Sequence, residues 1–386
     1  MTRRDLHRGW KSFLQWGRQN QLPYILGLFV ATRVTLTIIG VISRLLIRPL
    51  LQQPLTTYSP KLLLDLWGVW DTRWYLDIAT NGYSTRPIGP NGESNTTFFP
   101  FYPILARVLG WIVRDPYLAG LIISNVCLIV GAVVLYRLAS LERGNAVGRN
   151  SVKFLFLFPS AFILSGFFSE SLFLMLLLLC FFFAKTNRWL TAGIFGFLLA
   201  LTRPLGILVF IPLGLLYLEK IDWKLRGIRL DVVSLLLIPL GLSAFGLFLF
   251  MRTGRFFDFV QVPGAWGRSL TNPFQVLVQG LRMDSIHLVF GAVFAIACLL
   301  LLVASFRKLG ATYEVLGLLL LLAPLASGMI PLRGTARYAL PVFPLYFALA
   351  HLGGERKDLE QGLTIALALF QGFLMVFWTN RSLLVI

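Results

Sequence analysis

The residues best equipped for chemistry lie together in the first third of the chain. They read Trp70-Asp71-Thr72-Arg73-Trp74-Tyr75-Leu76-Asp77-Ile78-Ala79-Thr80-Asn81-Gly82-Tyr83. On a helix, Asp71, Trp74, Tyr75 and Ile78 share a face, which sets a carboxylate beside two aromatic rings. Sugar rings stack on aromatic faces through their apolar C–H edges, and a carboxylate accepts a proton from a hydroxyl nucleophile. The same pattern describes an interfacial helix with aromatic anchors and solvated acids. Both readings are open on these residues alone. Asp65 and Asp77 stand six residues either side of Asp71, on other helical faces. They form no carboxylate pair of the glycosidase kind. A single base is sufficient for transfer from a phosphate-linked sugar, because phosphate leaves without a proton from an acid.

Four more charged residues are candidates. Glu170 sits at a junction between apolar runs, where an unpaired acid is costly to bury, so it is expected to be paired or functional. Arg203 ends an apolar run, either as a snorkelling side chain or as a bidentate counter-charge for phosphate. Arg333 and Arg337 are four apart, hence on one face if helical. They clasp a phosphate or stand as two solvated loop arginines. Arg33 is different, because it falls within the first apolar run. An arginine costs roughly 2.5–3.5 kcal/mol at a helix centre on insertion scales, so it is expected to face protein and a polar partner. His7, His287 and His351 lack metal-ligand spacing, and Cys127, Cys180 and Cys298 lie inside apolar runs. Neither a metal, a cofactor nor a disulfide framework is expected.

The elements that must hold these residues are set by composition. Of 386 residues, 57% are hydrophobic and only 13% charged, with a mean hydropathy of +0.75. Soluble domains carry about 25% charged residues. The solvent for most of this surface is therefore lipid. The net charge of +18 does not signal nucleic acid, because Lys and Arg cluster between apolar runs and no nucleic-acid-binding signature accompanies them.

Apolar segments at 22–47, 117–140, 152–166, 168–185, 189–203, 205–219, 230–251, 286–306, 312–330, 337–352 and 362–379 predict an all-α polytopic membrane protein of about eleven crossings. The basic stretch 1–21 reads as a cytoplasmic tail, and 22–386 as a single transmembrane domain that includes a large outer loop, 48–116. That loop is expected to carry amphipathic juxtamembrane helices. With the N-terminus inside, each inner connection carries Lys or Arg, as the positive-inside rule requires. The chemically interesting clusters then fall outside. The first apolar run lacks a small-residue cleavage site and reads as a retained span.

Residues 70–83, with Phe98-Phe99-Pro100 and Tyr102-Pro103 downstream, resemble the PIG-V family. Its members are mannosyltransferases that add the second mannose to the GPI anchor, and they belong to the type-C (GT-C) glycosyltransferase superfamily. The segment from Glu93 to Tyr102, the run Phe168-Ser169-Glu170-Ser171-Leu172-Phe173, the run Leu201-Thr202-Arg203-Pro204-Leu205-Gly206, and Arg337-Tyr338 with Pro341 and Phe343-Pro344 are similar to further stretches of that family. Pro204 and Leu205 follow Arg203 where the family carries polar residues. The resemblance implies a GT-C-like architecture, Asp71 as the catalytic carboxylate, and a donor of polyprenyl- or dolichyl-phosphate mannose type.

The expected activity is transfer of mannose or a similar hexose to a hydroxyl of a membrane lipid or glycolipid. Trp70, Arg73, Trp74, Tyr75, Glu170, Arg203, Arg333 and Arg337 are expected to bind donor and acceptor. With short loops and no retention signal at Ile386, the expectation is a bacterial plasma membrane rather than the ER, with the site on the periplasmic or luminal face. The alternative is a transporter or flippase of a lipid-linked saccharide. That would call for broken helices and polar residues at the midplane of both halves, whereas this chain concentrates its acids and arginines on one side.

Overall fold

The computed structural model describes residues 17, 21–85, 92–261 and 269–385. Most of the basic tail and the turn around Ile88 lie outside the described residues. Among those residues the chain is helical, with no strand. Five helices are long and apolar enough to cross a membrane: Leu22–Leu50, Pro116–Arg143, Leu230–Thr253, Ile286–Leu309 and Lys357–Thr379. At about 1.5 Å per residue, even the 23-residue Lys357–Thr379 exceeds the ~30 Å hydrocarbon layer. The protein is an integral helical membrane protein.

Side-chain periodicity decides which face of each helix meets lipid. Val30, Val34, Ile38, Ile42 and Leu46 recur every fourth residue and are exposed, while Arg33, Leu36, Gly40 and Arg44 turn inward. Pro116–Arg143 is the most buried of the five and packs against Phe101–Val113, Asn145–Leu157 and Glu170–Lys185. Asp115 caps its start by accepting from the Tyr117 and Leu118 amides at 2.9 and 3.2 Å. Gly144, at φ 86°, ends it and lets the chain reverse into Asn145–Leu157.

Several of the remaining apolar segments are broken rather than continuous. The segment expected at 152–166 is helical only to Leu157. Pro159 lacks an N–H and biases Phe158 away from the helical region, and the chain continues as a 3-10 turn, Ala161–Ser165. The segment expected at 337–352 begins within the short helix Thr335–Tyr338, which follows the short helix Ile330–Arg333, and is helical again only from Pro344 to Glu355. Non-helical backbone inside a membrane protein survives only where protein satisfies it. Here Gln371 Nε2 donates to the carbonyls of Phe156 (2.8 Å) and Phe158 (3.0 Å), and Ser160 Oγ donates to Ala336 O at 2.6 Å. Arg33 Nη1 donates to Ala161 O at 3.1 Å and to Ser165 Oγ at 2.7 Å. The polar partner expected for Arg33 is thus this interrupted backbone.

The first loop differs from a single interfacial helix. It forms Leu62–Asp65 and Thr72–Asn81, separated by a turn through Gly68 and Trp70. A Cβ on Gly68 would lie 2.5 Å from the Tyr117 hydroxyl, so the backbone passes too close there for any side chain. Trp67 and Trp74 are buried instead of floating in the headgroup layer, because the turn folds them into the core, where Trp67 meets Trp378 with ring centroids 6.4 Å apart. Asp65 is fully buried. It takes Arg44 Nη1 at 2.6 Å and the amides of Thr57, Tyr58 and Ser59. Asp77 accepts from Asn81 and Asn95, both at 2.8 Å. Both acids are therefore structural.

Candidate functional site

Asp71 stands at the N-terminus of Thr72–Asn81, and its side chain makes no capping bond. The residue before it, Trp70, is held at φ 46°. A bulky residue in that region costs about 1–3 kcal/mol, and such strain tends to persist at functional sites. Arg203 follows the Trp189–Ala200 helix in an extended conformation that Pro204 enforces. Arg337 comes from the short helix Thr335–Tyr338, and Glu170 opens Glu170–Lys185, where the helix dipole favours a negative charge.

These four side chains meet as one charge network. Arg337 donates through Nη1 to Asp71 Oδ2 and through Nε to Glu170 Oε1, while Arg203 Nη1 donates to the same Glu170 oxygen. The Phe168 ring lies under the Arg337 guanidinium at 4.8 Å. The network is graded in exposure: the side chain of Glu170 is 1% accessible, Arg337 7% and Asp71 23%. Glu170 Oε2, Arg333 Nε and Trp70 Nε1 are buried without a hydrogen-bond partner.

The network forms the wall of a cavity of about 560 Å³. Asp71, Trp70, Arg73, Trp74, Tyr75, Arg203, Arg333 and Arg337 all line it; Glu170 sits behind the arginines and does not. Residues up to 267 positions apart in the chain, from Trp70 to Arg337, are thereby brought to one space. Trp74 stacks on Phe98 with centroids 5.8 Å apart, and Arg73 lies 4.6 Å over Trp74. Tyr75 packs edge-on to Phe98, and its hydroxyl meets Ser169 Oγ at 2.8 Å. Burial pushes that hydroxyl up to about 12, so it stays protonated. Leu205, Ile330 and Pro331 add an apolar flank. Four arginines line the space while two carboxylates offset them, so it attracts an anion. Phe168 and Ser169 received no role from the sequence; their signal was the family-like run around Glu170.

A second cavity, of about 310 Å³, lies at the opposite end of Glu170–Lys185. Fifteen residues of helix separate the two ends, roughly 22 Å. Its charges engage one another: Lys185 Nζ meets Glu142 at 2.6 Å, Tyr313 donates to the same carboxylate at 2.6 Å, and Arg143 Nη2 donates to Leu309 O at 2.9 Å. This cluster ties helix ends together. Among the described residues no group of three or more His, Cys, Asp or Glu could hold a metal, and Cys127, Cys180 and Cys298 are buried free thiols. Asn95 and Asn380, which head glycosylation triplets, are both buried with their side-chain amides bonded internally.

No family model and no curated protein matches the chain. Solved structures do resemble it. One is the archaeal oligosaccharyltransferase AglB from Archaeoglobus fulgidus in complex with an inhibitory peptide and a dolichol-phosphate (TM-score 0.45, 13% identity, 92% of this chain and 56% of that one). Another is the oligosaccharyltransferase of the same organism in complex with Zn and sulfate (TM-score 0.45, 15% identity, 91% and 53%). The chain spans little more than half the length of either.

Proposed function

We propose that this protein is a membrane glycosyltransferase of GT-C type. It moves a hexose, mannose by the first-loop resemblance, from a polyprenyl- or dolichyl-phosphate donor to a hydroxyl of a membrane lipid or glycolipid. The observation that carries the reading is the cavity in which Asp71 adjoins Arg203, Arg333 and Arg337 beside the Trp74–Phe98 wall. The arginines suit the donor phosphate, since guanidinium forks match phosphate oxygens. The rings suit the sugar. The apolar flank suits the first isoprene units.

In the reaction, the acceptor oxygen forms a bond to the anomeric carbon as the bond from that carbon to the phosphate oxygen breaks. Asp71 takes the hydroxyl proton, and the phosphate departs with the bonding electrons, its added charge balanced by the arginines. The reading includes about eleven crossings in one transmembrane domain, a cytoplasmic N-terminus, and a site on the outer face of a bacterial plasma membrane.

A flippase for a lipid-linked saccharide is the second reading, supported by the interrupted segments after Leu157 and Arg333. Purified protein incubated with polyprenyl-phosphate mannose and membrane lipid extract separates the two. A new mannosylated lipid with stoichiometric release of polyprenyl phosphate is expected. Translocation of intact donor across vesicles without product would favour the flippase.

A further inference from the structure

A base works best with its charge unclaimed by another group, and Arg337 occupies Oδ2 of Asp71. Arg337 also lines the cavity read as the donor site, so one guanidinium has two anionic claimants. We infer that Asp71 and the phosphate of the lipid donor compete for Arg337, and that arrival of the phosphate is what releases the base. This rests on the reading of the cavity as a donor site.

Three features of the network support an exchange rather than a fixed pair. The first is its asymmetry. Glu170 is deeply buried and holds both Arg203 and Arg337 through Oε1, while Asp71 is the accessible end. The partner facing the cavity is therefore the one that water and an incoming anion can reach. Second, a guanidinium carries five N–H groups. Nε can stay on Glu170 while an incoming phosphate oxygen displaces the Asp71 carboxylate from the Nη edge. Glu170 Oε2 has no partner and offers a second acceptor as the guanidinium shifts. Third, Arg333 lines the same cavity outside the Asp71–Arg337–Glu170 network, giving the phosphate a first contact before any ion pair opens. Glu170 is on this account a positioning residue: it touches neither reactant and keeps two arginines at the cavity wall.

Competition has a signature that a passive salt bridge lacks. Coupling free energies are reciprocal, so deleting the charge of Asp71 must tighten phosphate binding. Binding of a sugar-free polyprenyl monophosphate to the full chain in detergent is measured for wild type, Asp71→Asn, Arg337→Gln and the double variant. Asp71→Asn is expected to bind about tenfold more tightly than wild type, within the 5–150-fold range of such couplings. In the Arg337→Gln background the same change is expected to have no effect. Asp71→Ser removes the same charge should the amide prevent folding.

Polyprenol without phosphate is expected to bind all variants alike. Inorganic phosphate at the same concentrations is expected not to displace the lipid; displacement would overturn the lipid headgroup as the competitor. Equal or weaker binding by Asp71→Asn overturns the competition and leaves the donor site standing. A wild type that does not prefer the phosphate over polyprenol overturns both.

Discussion

The guanidinium of Arg337 closes on the carboxylate of Asp71 across 266 residues of sequence, and the same guanidinium holds Glu170 from its other edge. Asp71 thereby joins a network whose far end is out of reach of water and whose near end opens on the cavity. The arrangement makes the two acids unequal in role although they share a partner.

Asp71→Asn keeps shape and removes the base. General-base catalysis contributes about 10²–10⁴-fold, so turnover is expected to fall by roughly that factor while the protein folds and inserts. Asp77→Asn is expected to act far less on turnover, since Asp77 accepts from Asn81 and Asn95 and lies outside the cavity wall. Single-turnover rates with radiolabelled donor compare the two, and similar losses in both would remove Asp71 from the role of base.

Replacing Arg203, Arg333 or Arg337 by Gln is expected to weaken donor use, for Arg333 with little effect on folding, and Lys is expected to restore only part of it because it lacks the planar fork. Arg333→Gln gives the cleanest reading. Arg203 and Arg337 also neutralise Glu170, so their loss leaves a buried acid uncompensated. The check is the donor concentration for half-maximal rate beside the melting temperature in detergent. Unchanged donor dependence in all three Gln variants would detach them from the phosphate.

Asp65 tests stability apart from catalysis. Burial raises its carboxyl, but the amides of Thr57, Ser59 and Tyr58 together with Arg44 outweigh that and hold it below the usual carboxylate range. A lowered folded-state value means that its stabilisation is complete above the ordinary unfolded value near pH 4 and is lost as pH falls through the lower one. Asp65→Asn is expected to cost about 3–5 kcal/mol at neutral pH, as for other broken buried pairs. Melting curves should show the gap between wild type and variant constant above about pH 5 and narrowing on acidification. A gap that widens in acid would contradict this account.

Orientation is open to cysteine labelling. Cys127, Cys180 and Cys298 are buried, so background reaction is expected to be low. Exposed positions Thr85 and Ser269, changed to Cys, are expected to react with an impermeant thiol reagent from outside the cell, and exposed Asn145 is not. Outside labelling of Asn145→Cys alone would invert the topology and move the site to the cytoplasm.

Much was legible in the sequence because lipid imposes a one-dimensional rule. A chain 57% hydrophobic with basic residues between apolar runs must be helical and membrane-embedded, since no other open structure satisfies its backbone in hydrocarbon. The same economy made Asp71, Glu170, Arg203, Arg333 and Arg337 conspicuous, as each is costly in such surroundings.

What only the tertiary structure decided was which of them touch. Arg333 and Arg337 looked like a pair by spacing, but Gly334 separates their two short helices, and only Arg337 reaches Asp71. Glu170 looked like a ligand for substrate and lies instead behind two arginines. The Trp70–Trp74 stretch looked like a surface helix, and the turn at Gly68 folds it inward. The physical reason is one of range. Hydropathy and helical period are local, set within about one turn of chain, whereas an ion pair spanning 266 residues depends on how every intervening helix packs.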